Sequence, residues 1–332
     1  MAQIRAPFLV LAVLLVAIGL ALAYKLPVSD ELNFNGWHAI LLVIGVVLSH
    51  ISVNLFNEYS DHKTKIDFYT QRSPFSGGSG MLTQGLTKPG SVLSVGIVTL
   101  LLAFAIGIYF MVVSHWTVIV LSIVGGLTIL FYTGGLAKIL VGEFFAGLTL
   151  GSFVVIGTYI AMTATPDMTL GEVLPTRVIL YSISPGILTI LLLLINEFPD
   201  READKAGGRF HLVIRLGTKG AAVVYTIGMI LTFGTILAIP LLGLGPFWVY
   251  LALLPVPLAI KACNIALKHG DDIQKLVPAL GSNIITVLAT LTYLLSYRFL
   301  LVSSKKFVYR FFSAVYRFFI LFLLIHAYFW NT

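Results

Sequence analysis

The hydrophobic positions of this chain fall in long unbroken runs separated by short polar connectors. Nine runs approach the roughly 20 apolar residues that a bilayer-crossing helix needs: 6–23, 37–57, 91–113, 116–133, 144–163, 178–198, 220–239, 246–265 and 279–297. None alternates with the period of two that a barrel strand requires. The expected class is therefore all-α, a polytopic membrane bundle of nine transmembrane helices around a central cavity. A tenth run, 307–330, is apolar and aromatic but carries Arg310 and Arg317. There the unit VYRFF occurs twice, at Val308–Phe312 and Val315–Phe319. Its spacing puts both arginines near one helix face, which suits an interfacial helix; a tenth span fits as well. The chain thus divides into a transmembrane domain over 1–303 and a C-terminal aromatic and basic extension over 304–332. Arg5, the first apolar run and Ala21-Leu22-Ala23 imitate a secretory signal. That run is longer than the ~7–15 apolar residues of a signal core, and we read it as a retained span.

Composition narrows the class further. Of 332 residues, 58% are hydrophobic and only 11% charged, against roughly 25% charged in a soluble domain. A cytosolic enzyme, a disordered regulator and a conventional nucleic-acid binder are excluded. The net charge of +7 records topology instead, because basic residues collect in cytoplasmic connectors. With the N-terminus inside, fourteen of the 21 Lys and Arg face the cytoplasm, and Lys25 and Arg177 face outward. The other five follow the ninth span and fit that rule poorly. A single cysteine, Cys263, excludes an internal disulfide framework and any cysteine-based metal site.

Acidic residues are scarce, fourteen in all, and half of them fall in two short windows: Glu58, Asp61 and Asp67, then Glu197, Asp200, Glu202 and Asp204. Both windows lie at the inner ends of spans. Asn54, Asn57 and Asp61 sit at i, i+3 and i+7; Asn196, Asp200 and Asp204 sit at i, i+4 and i+8. Each set forms one stripe of a helix, although Pro199 can kink or end the second helix. Two stripes of like composition point to one site shared by two halves of a bundle. Oxygen donors with no well-placed histidine favour a hard cation such as Mg²⁺. Lys63, Lys65, Arg72 and Lys88 flank the first stripe, and Arg201, Lys205 and Arg209 the second. Carboxylates holding Mg²⁺ beside such cations make a diphosphate site, and topology alone also explains most of these bases. The glycine-rich stretch SPFSGGSGMLTQG, 73–85, has backbone N–H groups that could wrap phosphate, though it is not a P-loop. A diphosphate site at one face of an apolar bundle suggests a lipid-tailed substrate, a polyprenyl diphosphate. Loss of that diphosphate leaves an allylic cation that needs a chamber poor in water.

These motifs resemble the UbiA-type intramembrane prenyltransferases. NLFNEYSDHKTKID, from Asn54 to Asp67, resembles the family's first acidic motif. NEFPDREADKAGGR, from Asn196 to Arg209, followed by Arg215-Leu216-Gly217, resembles the second. Tyr132 to Leu136, Gly142-Glu143 and Gly157-Thr158-Tyr159 resemble the stretch between them. Within the family, Asn54 with Asn57 and the SPFSGGSG that follows look most similar to the 1,4-dihydroxy-2-naphthoate prenyltransferases of menaquinone synthesis. The resemblance implies two Mg²⁺ ions on the diphosphate, held by Asn57, Asp61, Asp200 and Asp204 and supported by Asn54 and Asn196. Asp67 matches the outlying aspartate of the first motif. Lys63, Arg72, Lys205 and Arg209 are implied contacts of the diphosphate or of an acceptor carboxylate, and Tyr132 matches a tyrosine near the scissile allylic bond. The sequence departs from the family at Glu58, where aspartate is usual, at Lys65, where glycine is common, and at Leu136, where proline is common.

The implied reaction is Mg²⁺-dependent transfer of a polyprenyl group to an aromatic acid, by an integral protein of a prokaryotic cell membrane with its site toward the cytoplasm. Partners are the two substrates and membrane lipid, with no nucleic acid; prenyl length, acceptor and oligomeric state stay open. Another quinone precursor, such as 4-hydroxybenzoate, is the alternative acceptor. A transporter coupling through its carboxylates is the alternative outside enzymes, and an idle lipid-binding relative a further one. A CDP-alcohol phosphotransferase would carry a DGxxAR core, absent here.

Overall fold

The computed structural model describes residues 3–25, 34–70, 77–132 and 134–296. Arg72, the 304–332 extension and the question of a tenth span lie outside the described residues. Every regular element among them is helical. In chain order these are α1 (Ala6–Lys25), α2 (Gly36–Lys63), α3 (Ile66–Tyr69), α4 (Pro89–Val113), α5 (Thr117–Phe131), α6 (Gly142–Gly147), α7 (Phe153–Thr163), α8 (Leu170–Val173), α9 (Thr176–Ala206), α10 (Leu212–Leu241), α11 (Val256–His269) and α12 (Ile273–Ser296). Short 3₁₀ turns at Leu136–Lys138 and Phe247–Leu253 and a π-turn at Leu148–Ser152 complete the set. Seven helical segments among the described residues are long and apolar enough to cross a membrane, and α5 and the Leu9–Tyr24 part of α1 are shorter apolar helices.

Local chemistry places the helix ends. The Asn35 side chain accepts from the N–H groups of Trp37 and His38 and starts α2, as an N-cap does. Pro89 stands in the first turn of α4, where a missing N–H costs nothing. The segment expected as one span over 246–265 is divided: Phe247–Leu253 is 3₁₀, and the α-helix starts only at Val256. Pro246, Pro255 and Pro257 remove the donors a continuous helix would need. Pro199, by contrast, does not end α9, which runs through Pro185 and Pro199 to Ala206 and keeps the second stripe on one helix.

Packing follows burial. Leu14, Leu15, Val16 and Leu20 of α1 are fully buried, so this helix, apolar all round, lies inside the bundle against α7, α2 and α12. On α4, Val95, Val98, Leu101, Leu102 and Val112 are exposed. An apolar surface of that extent faces lipid rather than water. The π-turn has a packing cause. A Cβ at Gly147 would stand 2.7 Å from the Gly186 carbonyl, and one at Gly151 2.7 Å from Gly186 Cα. The α6–α7 segment and α9 therefore meet backbone to backbone, the close approach that small residues permit between membrane helices. That contact seats the middle of α9, and so sets where its acidic end emerges opposite the end of α2.

Candidate active site

The last turns of α2 and α9 carry the two stripes, and one guanidinium joins them. Arg209 donates from Nη1 to Asp204 Oδ1 at 2.8 Å and from Nη2 to Asn57 Oδ1 at 3.1 Å, and Nη2 also pairs closely with Asp61 Oδ1. The turn after α9 explains the reach. Gly208 takes φ 80°, a left-handed conformation glycine adopts freely. The chain then reverses, with Arg209 N–H on the Asp204 carbonyl at 2.9 Å and Phe210 N–H on the Ala137 carbonyl at 2.8 Å. Burial penalises the guanidinium charge, but Asp61 and Asp204 outweigh it and hold the Arg209 pKa above its ordinary value.

Asp61 and Asp204 are buried. Asp200 stands within electrostatic reach of Asp204, Arg209, Arg5 and Asp61, and its Oδ1 is buried with no hydrogen-bond partner; so is Asn196 Oδ1. Buried oxygens left unpaired cost free energy unless something meets them. A hard cation is the natural complement to two orphaned oxygens beside three further oxygen-bearing side chains. The residues present fit Mg²⁺.

Asn54, Asn57, Asn196 and Tyr132 line a pocket of about 160 Å³, together with Arg5, His50 and the apolar side chains of Ile129, Leu150, Leu192 and Leu193. Asn54 also donates to the Ile4 carbonyl at 3.0 Å. A second, largely apolar pocket of about 140 Å³ shares His50, Ile129 and Leu150 with the first. Tyr132 is in electrostatic reach of Glu197, Arg209, Glu143 and Asp204.

Other residues singled out in the sequence fall elsewhere. Lys63 and Lys205 are exposed at the ends of α2 and α9. Asp67 is buried on α3 against Gly78, where a Cβ would stand 2.7 Å from Asp67 Oδ1. Lys65 takes φ 62°, which gives a physical reason for the glycine common at that position. In the described part of the glycine-rich stretch, the N–H groups of Ser79, Met81, Gln84 and Gly85 are taken by acceptors of the protein itself. Ser79 donates from N to Glu58 Oε1 at 2.7 Å and from Oγ to Glu58 Oε2 at 2.6 Å.

One expectation needs correction. None of the seven histidines has a paired spacing along the chain, so the sequence offers no well-placed histidine. His211 stands at the site nonetheless, its Nε2 3.2 Å from Asp204 Oδ2 and its Nδ1 3.4 Å from Glu197 Oε2. Glu143 is buried close by. His211 follows Asp204 by seven residues, but α9 ends at Ala206 between them, so helical periodicity does not relate the two. Only the Gly207-Gly208 pair hinted at a chain reversal there.

Residues 10–284 match the model of the UbiA prenyltransferase family. The chain belongs to this family. It is 30% identical over 230 residues to the 1,4-dihydroxy-2-naphthoate octaprenyltransferase of Bacillus subtilis, covering 67% of this chain and 70% of that protein. The Escherichia coli protein of the same name is 26% identical over 281 residues, covering 82% of this chain and 85% of its own. Among solved structures, a UbiA homolog from Aeropyrum pernix matches with a TM-score of 0.62 at 18% identity, covering 84% of this chain and 97% of that one. A homolog from Archaeoglobus fulgidus bound to DMAPP and Mg²⁺ matches with a TM-score of 0.55 at 13% identity, covering 88% and 98%. The resemblance read from the two acidic motifs is borne out. This UbiA-family chain is an integral membrane enzyme that transfers prenyl groups, which sets aside the transporter reading.

Proposed function

We propose that this enzyme transfers a polyprenyl group from a polyprenyl diphosphate to 1,4-dihydroxy-2-naphthoate in menaquinone synthesis. The relatives from Bacillus subtilis, Haemophilus influenzae, Escherichia coli and Mycobacterium leprae share that acceptor in their name. One observation carries the site: Asn57 and Asp61 of one helix and Asp204 of another meet on a single guanidinium, beside the unpaired Asp200 Oδ1. Asn57, Asp61, Asp200 and Asp204 would hold Mg²⁺, with Asn54 and Asn196 supporting. Bound Mg²⁺ supplies Lewis-acid stabilisation of the charge gathering on the departing diphosphate. Arg209, held between Asp61 and Asp204, would offer its guanidinium donors to that diphosphate, and the exposed Lys63 and Lys205 would draw the anionic head to the mouth.

Bond making and breaking fall to the pocket beneath. The allylic C–O bond breaks with its electron pair going to the diphosphate, an acceptor ring carbon bonds the freed prenyl carbon, and the acceptor's carboxylate leaves as CO2, its C–C bond electrons restoring the aromatic ring. Tyr132 lies beside the breaking bond, its π face toward the allylic cation. Ile129, Leu150, Leu192 and Leu193 keep water from quenching it, and the shared wall at His50, Ile129 and Leu150 lets the tail pass into the apolar pocket. In this reading the seven long and two shorter apolar helices are nine crossings around one chamber, and the basic bias turns its mouth to the cytoplasm.

Purified protein with Mg²⁺, labelled prenyl diphosphates and a panel of aromatic acids, with products identified by mass, tests the reading. Transfer to 1,4-dihydroxy-2-naphthoate should dominate, stop with EDTA and return with Mg²⁺. Asp61→Ala, Asp200→Ala and Asp204→Ala should each remove it while leaving monodisperse protein. Near wild-type turnover in any two of them would refute the site, and preference for another acid would refute the acceptor.

A further inference from the structure

Behind the stripe residues lies a second polar cluster that the reading above leaves without a role. Glu143 comes from α6, Glu197 from α9 and His211 from the residue before α10. Their exposures are 1%, 8% and 2%, and one donor atom from each falls within 4.8 Å of the others. Three links converge on His211. Glu143 Oε1 accepts from Leu212 N–H at 2.8 Å and so pins the backbone beside it. Glu197 Oε2 stands 3.4 Å from Nδ1. Nε2 stands 3.2 Å from Asp204 Oδ2, while the other oxygen of that carboxylate takes Arg209 Nη1 at 2.8 Å. Asp204 is thus held on one oxygen by a cation of the site and on the other by an imidazole whose own place is fixed from two sides.

Burying two glutamates and an imidazole is expensive, and well-packed apolar side chains of the same volume would cost less. Glu143 Oε2, Glu197 Oε2 and His211 Nδ1 lack a full hydrogen bond, so stability alone is a poor reason for the cluster. Partners of a metal-binding carboxylate have a different use: they fix the orientation in which it meets the metal.

We propose that Glu143, Glu197 and His211 form a positioning brace that sets the angle of the Asp204 carboxylate, and through it the affinity of the site for its divalent cation. The proposal rests on the reading of Asp204 as a metal ligand. His211 is the direct holder, Glu197 its backstop and Glu143 the anchor of its backbone.

Full-length protein in detergent, titrated with Mn²⁺ by electron paramagnetic resonance as a stand-in for Mg²⁺, tests this without turnover. His211→Leu should weaken Mn²⁺ binding about 10- to 100-fold, the usual loss when such a partner is removed. The Mg²⁺ concentration for half-maximal activity should rise in step, and kcat at saturating Mg²⁺ should largely recover. His211→Gln, which keeps a donor for Asp204, should restore most of the affinity. Glu197→Gln and Glu143→Gln keep shape and should shift affinity in the same direction by less; they carry the test if His211→Leu does not fold. Wild-type Mn²⁺ affinity in folded His211→Leu, alongside weakened binding in Asp204→Asn, would overturn the brace alone. Unchanged binding in Asp204→Asn would instead overturn the metal reading beneath it. A metal equivalent lost on Glu143→Gln while the main Mn²⁺ signal stays intact would make the triad a cation site of its own, and would also overturn the brace.

Discussion

The ends of α2 and α9 look alike in sequence and behave differently in the fold. Each carries asparagine and aspartate on a helical stripe, a glutamate one position after an asparagine, and lysines or arginines nearby. At the end of α2 the cations Lys63 and Lys65 are exposed, and the glutamate, Glu58, is satisfied by Ser79 N–H and Oγ. Beyond α9 the chain reverses at Gly208 and brings Arg209 and His211 back onto the acids. Its glutamate, Glu197, faces His211 and Glu143 with one oxygen unmatched. The end of α2 therefore lends oxygen donors to a site onto which the chain after α9 folds Arg209 and His211, with Arg5 the cation from the N-terminal side. A charge excess near an acidic motif says little about electrostatics until the chain direction after the helix is known.

The largest expected effect tests that asymmetry. Arg209→Leu removes the one cation that both stripes share and leaves Asp61 and Asp204 buried without it. Losing one partner of a buried pair costs about 3–5 kcal/mol, so melting of this variant in EDTA should fall far below wild type. Added Mg²⁺ should raise its melting temperature more than it raises that of wild type, because the metal would then stand in for the lost guanidinium between those carboxylates. An equal Mg²⁺ shift in both proteins would mean that the stripes do not meet a metal where Arg209 now sits. Lys63→Leu, the counterpart at the exposed position, should leave melting within about 0.5 kcal/mol of wild type.

A smaller effect separates the two glutamates. Glu58→Ala leaves the half-buried Ser79 N–H and hydroxyl without their acceptor, which costs about 1 kcal/mol, the low end for a buried unmet donor. Differential scanning in detergent should show that loss, and activity per folded molecule at permissive temperature should stay within a few-fold of wild type. If Mg²⁺ affinity fell as well, Glu58 would belong with Glu197 among the groups that shape the metal site, and the contrast between the halves would weaken.

The stripes themselves were legible because a helix has a fixed period. Asn54, Asn57 and Asp61, and likewise Asn196, Asp200 and Asp204, share a face by arithmetic alone, and both helices do extend past their apolar runs far enough to carry them. Glu143, Glu197 and His211 meet only in three dimensions, across separations of 54 and 14 residues with no common period. Nothing local announces such a meeting. The break in the 246–265 span was present in the sequence as Pro246, Pro255 and Pro257, but hydropathy alone does not register a proline. The inward turn of Arg209 depends on the backbone at Gly208, which composition near the motif does not distinguish from the turn at Lys65 that leads into α3.

Those two turn residues give the smallest and most symmetrical test of the comparison. Lys65 and Gly208 both occupy the left-handed region, at φ 62° and 80°, and each lets the chain leave a stripe helix. A side chain there costs about 1–2 kcal/mol, while glycine returns roughly 0.4–1 kcal/mol of that through the entropy of the unfolded chain. Lys65→Gly should therefore stabilise the protein by about 0.5 kcal/mol, and Gly208→Ala should destabilise it by a similar amount or slightly more. No atom lies within 4 Å of a Cβ at Gly208, so the second loss would come from the backbone and not from a clash. Function should divide where stability does not. The turn at Lys65 leads into α3, whose four residues carry no cation to bring back onto the site, so Lys65→Gly should leave the Mg²⁺ dependence of turnover unchanged. The turn at Gly208 aims Arg209 and His211, so strain there should raise the Mg²⁺ concentration for half-maximal activity even in protein that melts within a few degrees of wild type. Equal Mg²⁺ responses in the two variants would show that the direction of the chain after α9 does not set the site's charge, and the asymmetry between the halves would lose its physical basis.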